Sequence, residues 1–290
     1  MNTPGTTSRL HSLGPGILAA SAFAVSDVLG KVVLLSGVDV ISLSTFRGFV
    51  SLSFIMLWLR VGTPPVPATS RQRWIALGVG VLFAVIVFCL FKAIELMEVP
   101  IAILSYFIYP LLTGLLAALI GLEKLNWRGA IAAVVAFLGL ALTVGAHPAG
   151  IAVAGLAFAL GAAVCRAIVL VITRSALNTL DARLTTYYSL LSSTAIFAAI
   201  SLATWTWNAP QTSVGWIALL VHSAATTIAV LALFMSVTRI GPFRSALIMN
   251  LEPLLATILS WPLLGEIVTP LQAAGGAIML GALVAFQLRR

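Results

Sequence analysis

Long apolar runs alternate along the chain with short polar breaks, and each run is close to the length that crosses a membrane as a helix. Such a helix needs about 20 mostly apolar residues. Runs of this kind lie near residues 14–36, 40–60, 73–95, 98–120, 127–145, 149–173, 184–206, 214–238, 244–264 and 268–288. The longest break, around residues 62–72, is rich in Pro and Thr, and none leaves room for a soluble domain. The pattern predicts an all-α membrane protein of about ten transmembrane helices. Residues 1–13 are short and polar, and the apolar run behind them is long enough to span, so that run reads as the first helix and not as a cleaved leader.

Composition agrees with lipid as the solvent. Of 290 residues 61% are hydrophobic and 8% charged, against roughly a quarter charged in an ordinary soluble domain. The net charge of +8 does not mark a nucleic-acid partner, because the Lys and Arg residues sit singly or in small groups between apolar runs. Membrane topology accounts for them. With the N-terminus inside, cytoplasmic segments hold Arg9, Arg60, Arg71, Arg73, Lys124, Arg128, Arg174, Arg183, Arg239, Arg244, Arg289 and Arg290, twelve of the sixteen Lys and Arg residues. The external loops hold none and carry Asp39, Glu95, Glu98, His147 and Glu266. The positive-inside rule therefore puts both termini in the cytoplasm, with the chain in the inner membrane. An even number of spans is required, and ten satisfies it. Cys89 and Cys165 fall inside apolar runs and read as small hydrophobes, not as a disulfide.

The two halves echo each other at an offset of 143 residues: Phe91–Glu123 lies over Phe234–Glu266. Pro110-Leu111-Leu112 matches Pro253-Leu254-Leu255, and Glu123 and Glu266 both close their helices. Five spans per half is odd, so the second repeat, residues 149–288, must run upside-down relative to the first, residues 14–145. The charges agree: the turn before the fourth span carries Glu95 and Glu98, and its counterpart carries Arg239 and Arg244. Inverted repeats are a transporter architecture, with the substrate site near the midplane. With its mid-span Pro-Leu-Leu in both halves, followed by Gly-Leu-Glu at 121–123 or Leu-Gly-Glu at 264–266, the chain resembles the EamA-like branch of the drug/metabolite transporter superfamily. That resemblance covers nearly the whole chain. It implies ten helices in two inverted halves, a central cavity, and export or exchange of small metabolites such as amino acids.

Charges in mid-membrane cost at least about 2.5–3.5 kcal/mol each on insertion scales, so each needs a reason. Asp27 and Lys31 share one face of the first helix, either as a self-satisfied pair or as a cavity pair that engages a zwitterion. Arg47 either faces the cavity or does not, and Lys92 lies near the outer surface and snorkels. Arg166 is a structural partner for Glu252 or for carbonyls, or else its planar fork holds a substrate carboxylate. Glu252, beside Asn250 and before Pro253, marks either a static kink or a proton-coupling acid at a broken turn. Tyr109-Pro110 takes the equivalent place in the first half, with Tyr106 nearby. His222 is a titratable neutral group within the eighth span. Trp74, Trp127, Trp205 and Trp207 fall at span ends as interfacial anchors. Ala273, Ala277, Gly281 and Ala285 form a small-residue stripe that packs within the protein or between copies in a homodimer.

Other classes fit less well. No zinc-protease motif, nucleophile with a placed base, or phosphate-cradling glycine loop is present, so no catalytic residue, metal or cofactor is expected. A membrane receptor or scaffold would share the helices and bind a ligand without moving it. The sequence favours a secondary transporter whose partners are the lipid bilayer and a small-molecule substrate.

Overall fold

The computed structural model describes residues 6–97, 99–124, 127–144, 152–264 and 269–288. Glu98, His147, Glu266, Arg289 and Arg290 lie outside them, as does Gly265 of the second Leu-Gly-Glu. Among the described residues every regular element is a helix: α1 Thr6–Leu35, α2 Val40–Val61, α3 Ser70–Leu96, α4 Val99–Tyr106, α5 Tyr109–Leu119, α6 Trp127–Val144, α7 Val153–Ala176, α8 Ala182–Thr204, α9 Ser213–Ile240, α10 Pro242–Ile248, α11 Leu251–Leu264 and α12 Pro270–Leu288. The first helix starts earlier than the apolar run, since its polar residues from Thr6 continue the same helix. Among the described residues eight segments are long and apolar enough to span, and Trp127–Leu142 and Pro270–Ala285 are shorter apolar helices. The chain is a multi-pass membrane protein.

Two of these spans are broken. α4 and α5 are separated at Phe107 and Ile108, and α10 and α11 at Met249 and Asn250. Each break falls just ahead of a proline, Pro110 or Pro253, whose missing N–H costs least in the first turn of a helix. The repeat is visible in helix starts: Ser70 and Ser213, Val99 and Pro242, and Trp127 and Pro270 are each 143 residues apart. Caps repeat as well. Thr69 closes a capping box with Gln72 at the start of α3, and Thr212 accepts from Gly215 N–H at the start of α9.

Packing follows the same exchange of halves. α1 lies along α9 while its counterpart α7 lies along α3; α11 meets α1 as α5 meets α7; α6 packs on α12. The tightest approaches are made by glycine. A Cβ at Gly80 of α3 would stand 2.8 Å from the Ser189 carbonyl carbon of α8, and one at Gly139 of α6 would stand 2.7 Å from Gly275 O and Met279 N of α12. Small residues allow backbones this close where burial of apolar surface gives no drive, lipid being as apolar as leucine. The buried face of α12 is thus Gly275, Gly276, Met279 and Leu283. The stripe of Ala273, Ala277, Gly281 and Ala285 faces outward instead, which corrects its reading as a seam within the protein. Period alone could not choose between two small-residue faces on one helix.

Many hydroxyl side chains inside the bundle are satisfied by their own helix. The hydroxyls of Thr45, Thr113, Thr173, Thr186 and Thr227 each donate to the carbonyl four residues earlier at 2.7–2.8 Å. At the bundle ends the contacts are between loops. Asp39 caps α2, accepts from Asn208 Nδ2 at 3.0 Å, and Gln211 N–H donates to Ser36 O at 3.0 Å. Burial alone would raise the Asp39 carboxyl, but bonds from Ser42, Asn208 and Ile41 outweigh it and hold it below the usual carboxylate range. At the other end Arg183 pairs with Asp181 at 2.7 Å and donates to Thr63 O at 3.0 Å, and Gln72 donates to Thr179 at 3.1 Å. The N-terminal end of α2 therefore meets the C-terminal end of α8, and the reverse, so these two equivalent helices run antiparallel.

Candidate substrate cavity

A cavity of about 710 Å³ opens among α1, α2, α3, α4, α7, α8, α9, α11 and the start of α12. Helical spacing brings its polar wall together. On α1, Phe23, Asp27 and Lys31 recur every four residues, and Ser26 and Gly30 flank them on the same side. α2 adds Arg47, α7 adds Arg166, and α11 adds Glu252 from the first turn after its break. Apolar and aromatic walls come from Phe83, Ile86, Leu90, Tyr106, Phe107 and Phe197. The lining runs from these mid-helix charges to Leu34, Ile94 and Gln272, at the bundle end where α1 finishes and α12 begins.

Asp27 of α1 and Glu252 of α11 both line this cavity. Arg47 and Arg166 lie within electrostatic reach of Asp27, and Arg166 also of Glu252. The arrangement joins the two halves of the chain, since Asp27 belongs to the first and Glu252 to the second. Asp27 therefore shares the cavity with a second acid from the other half as well as with Lys31, four residues on along its own helix.

Arg166 is held by rings. Its guanidinium carbon lies 5.4 Å from the Phe23 centroid, 5.6 Å from Phe83 and 5.7 Å from Tyr109. These distances are in the range of cation–π attraction, which is strongest away from water. The side chain is buried, and its Nε has no hydrogen-bond partner among the described residues. No carboxylate lies within ion-pair distance of it among those residues, so Glu252 is an electrostatic neighbour and not a direct salt-bridge partner.

Of the eight side chains singled out in the sequence, Asp27, Lys31, Arg47, Tyr106, Arg166 and Glu252 line this cavity. Tyr109 and Asn250 do not. Tyr109 is fully buried beneath Arg166, stacked on Tyr106 at 5.3 Å and Phe107 at 5.6 Å. Asn250 is buried in the break between α10 and α11, with its Oδ1 unbonded among the described residues. Both sit behind the wall because a break turns the chain just where straight helical periodicity would have aimed them inward. Lys92 is outside the cavity and pairs with Glu95 at 2.7 Å on the surface. The sequence missed Phe23 and Phe83, which nothing separates from the other phenylalanines before the helices are packed. It also passed over the Ser26–His222–Thr226 cluster, whose signal was the spacing of His222 and Thr226 on one face of α9.

The comparisons with known proteins bear on the whole chain. A crystal structure of a protein superposes with a TM-score of 0.79 at 18% sequence identity, covering 96% of this chain and 99% of that one. At that identity the likeness shows the fold alone. No curated protein matches the chain by sequence. The family model of the EamA-like transporter family matches residues 14–145 and 153–286, one copy over each half. With both halves matched and mid-membrane charges gathered on one cavity, the chain belongs to the EamA-like transporter family.

Proposed function

We propose that this protein is a secondary transporter that exports or exchanges a small amino-acid-like zwitterion across the inner membrane. The observation that carries the reading is the composition of the cavity described above: two acids, two guanidinium groups, the Lys31 ammonium and apolar walls within about 710 Å³. An ammonium suits Asp27 and Glu252, a carboxylate suits the planar edge of Arg166 with Arg47 beside it, and the aromatic wall suits an apolar side chain. Tyr106 lines the same space, whereas Tyr109 and Asn250 act from behind it by holding Arg166 and the α10–α11 break.

In this reading the chain has ten spans in two inverted five-helix repeats, residues 14–145 and 149–288, with both termini cytoplasmic. The antiparallel pairing of α2 with α8 supports the inversion, and the one-sided distribution of Lys and Arg supports the orientation. The cavity then opens to the outside, at the end marked by Leu34, Ile94 and Gln272.

Glu252 with Asp27 forms the coupling site. The groups that face this pair are Lys31 on α1, Arg47 on α2, Tyr106 on α4, Arg166 on α7 and His222 on α9. A substrate ammonium and a proton compete for the oxygens of these two acids, so occupancy by one releases the other, and the two access states differ in which they hold. In proteoliposomes, Glu252→Gln is expected to abolish accumulation driven by a pH gradient while counterflow exchange persists. Unchanged gradient-driven uptake would remove Glu252 from coupling. Binding of an amino acid by the purified protein with no counterflow of any would favour a receptor over a transporter.

A further inference from the structure

His222 is buried at the α1–α9 contact and lines the cavity. Its ring is oriented by one acceptor that leaves no choice of proton position. Nδ1 lies 2.7 Å from the Ser26 backbone carbonyl oxygen. A carbonyl only accepts, so Nδ1 carries the proton and donates it. Ser26 Oγ lies 3.1 Å from the same nitrogen and 2.7 Å from Thr226 Oγ1, and Thr226 Oγ1 donates to His222 O at 2.9 Å. With the Thr226 proton committed to that carbonyl, the Ser26 hydroxyl donates to Thr226, and every hydroxyl proton of the cluster has a destination. Gly30 makes the approach possible: a Cβ there would stand 3.3 Å from His222 Cε1, tight against the ring.

The other ring nitrogen is left over. Nε2 has no hydrogen-bond partner among the described residues and is sealed from water. In the neutral ring fixed by Ser26, Nε2 is a bare lone pair. A buried acceptor without a donor is costly, and helix packing needs only the Nδ1 side of this ring. Arg47 is near enough for its charge to be felt at the ring, yet makes no hydrogen bond to it.

We infer that His222 Nε2 accepts a hydrogen bond from an N–H or O–H group of the bound substrate when the cavity wall beside the ring shifts to admit that group. The site thereby selects molecules that bring a donor to this point, and rejects isosteres of the same charge and bulk that lack one. The inference rests on the cavity being the substrate site; for a zwitterion the donor is the ammonium, reached beside Asp27 on the neighbouring turn of α1.

Wild-type protein carrying ¹⁵N-histidine, compared with His222→Asn to identify the signal, tests the tautomer directly. A protonated Nδ1 and a bare Nε2 are expected; the opposite tautomer, or a doubly protonated ring, overturns the proposal. Adding L-leucine should shift the Nε2 resonance, whereas 4-methylpentanoate, which lacks only the ammonium, should not. In counterflow, His222→Phe should raise the apparent KM for L-leucine about 10-fold or more, the factor for losing one hydrogen bond to a charged donor, and leave inhibition by 4-methylpentanoate unchanged. A purely structural histidine would weaken both compounds alike, which overturns the proposal while the transport reading stands. If the wild type neither binds nor moves L-leucine, the amino-acid reading falls by itself. Methylammonium and tetramethylammonium, equally charged, then decide the acceptor: a shift of Nε2 with the first alone supports it, and equal responses or none refute it.

Discussion

Arg166 carries the sharpest test among single residues, because three rings crowd its guanidinium. A guanidinium edge with paired N–H groups matches a carboxylate. Lysine would keep the charge but present a point donor that stacks poorly on Phe23, Phe83 and Tyr109. Arg166→Lys is therefore expected to lower apparent substrate affinity about 10- to 100-fold, the range for losing charged hydrogen bonds, with membrane insertion retained. Arg166→Met should lose at least as much. Equilibrium binding and counterflow on proteoliposomes would check this, and normal transport by both variants would refute the role. The charged residues of the cavity were legible in the sequence because lipid makes each one expensive and therefore informative. The rings were not. Fourteen phenylalanines occur in the chain, and an apolar residue in an apolar helix has no distinguishing cost until its neighbours are known.

Among the elements, the broken helices were readable from Pro110 and Pro253, but what anchors them was not. Gly241, which starts α10, has φ +91° and ψ 164°, a region open to little besides glycine. The same residue leaves room for the Glu123 carboxylate, whose Oε1 occupies the place a Cβ would take and whose Cδ would be 2.9 Å from it. Glu123, noted in the sequence as closing its helix, thus also meets the start of a broken helix in the other half of the chain. No spacing within one repeat could reveal a contact made between repeats. Gly241→Ala is expected to lower stability by about 1–3 kcal/mol for the backbone alone, with a further loss from the collision with Glu123. Gly121→Ala is the control, since Gly121 has φ +72° and open space where its Cβ would go. Thermal unfolding in detergent should rank Gly241→Ala below Gly121→Ala, and adding Glu123→Ala should recover part of the difference. Equal losses in the two single variants would show that Glu123 does not press on Gly241.

For the whole molecule, charge and hydrogen bonding speak to the same question from independent directions. The loop at 36–39 bonds to the loop at 206–211, and the loop at 63–73 bonds to 179–183. Each loop pair therefore lies at one end of the bundle, with α2 and α8 running antiparallel between the ends. These bonds put residues 66 and 209 at opposite ends of the bundle, which in the proposed topology are opposite sides of the membrane, but do not say which is inside. The charges supply that second step: Arg60, Arg71, Arg73 and Arg183 cluster at the end that holds Val66, and no Lys or Arg falls in residues 205–212 at the other. In the orientation proposed above, that cationic end is the cytoplasmic one. Val66 is 81% exposed and Ala209 is also exposed, so a cysteine at either place disturbs no packing. In a background lacking Cys89 and Cys165, an impermeant thiol reagent applied to intact cells is expected to label Ala209→Cys and to spare Val66→Cys until the membrane is opened. The reverse pattern would keep the antiparallel pairing and invert the orientation. Labelling of both in sealed cells would break the pairing itself, and with it the opening of the cavity toward the outside.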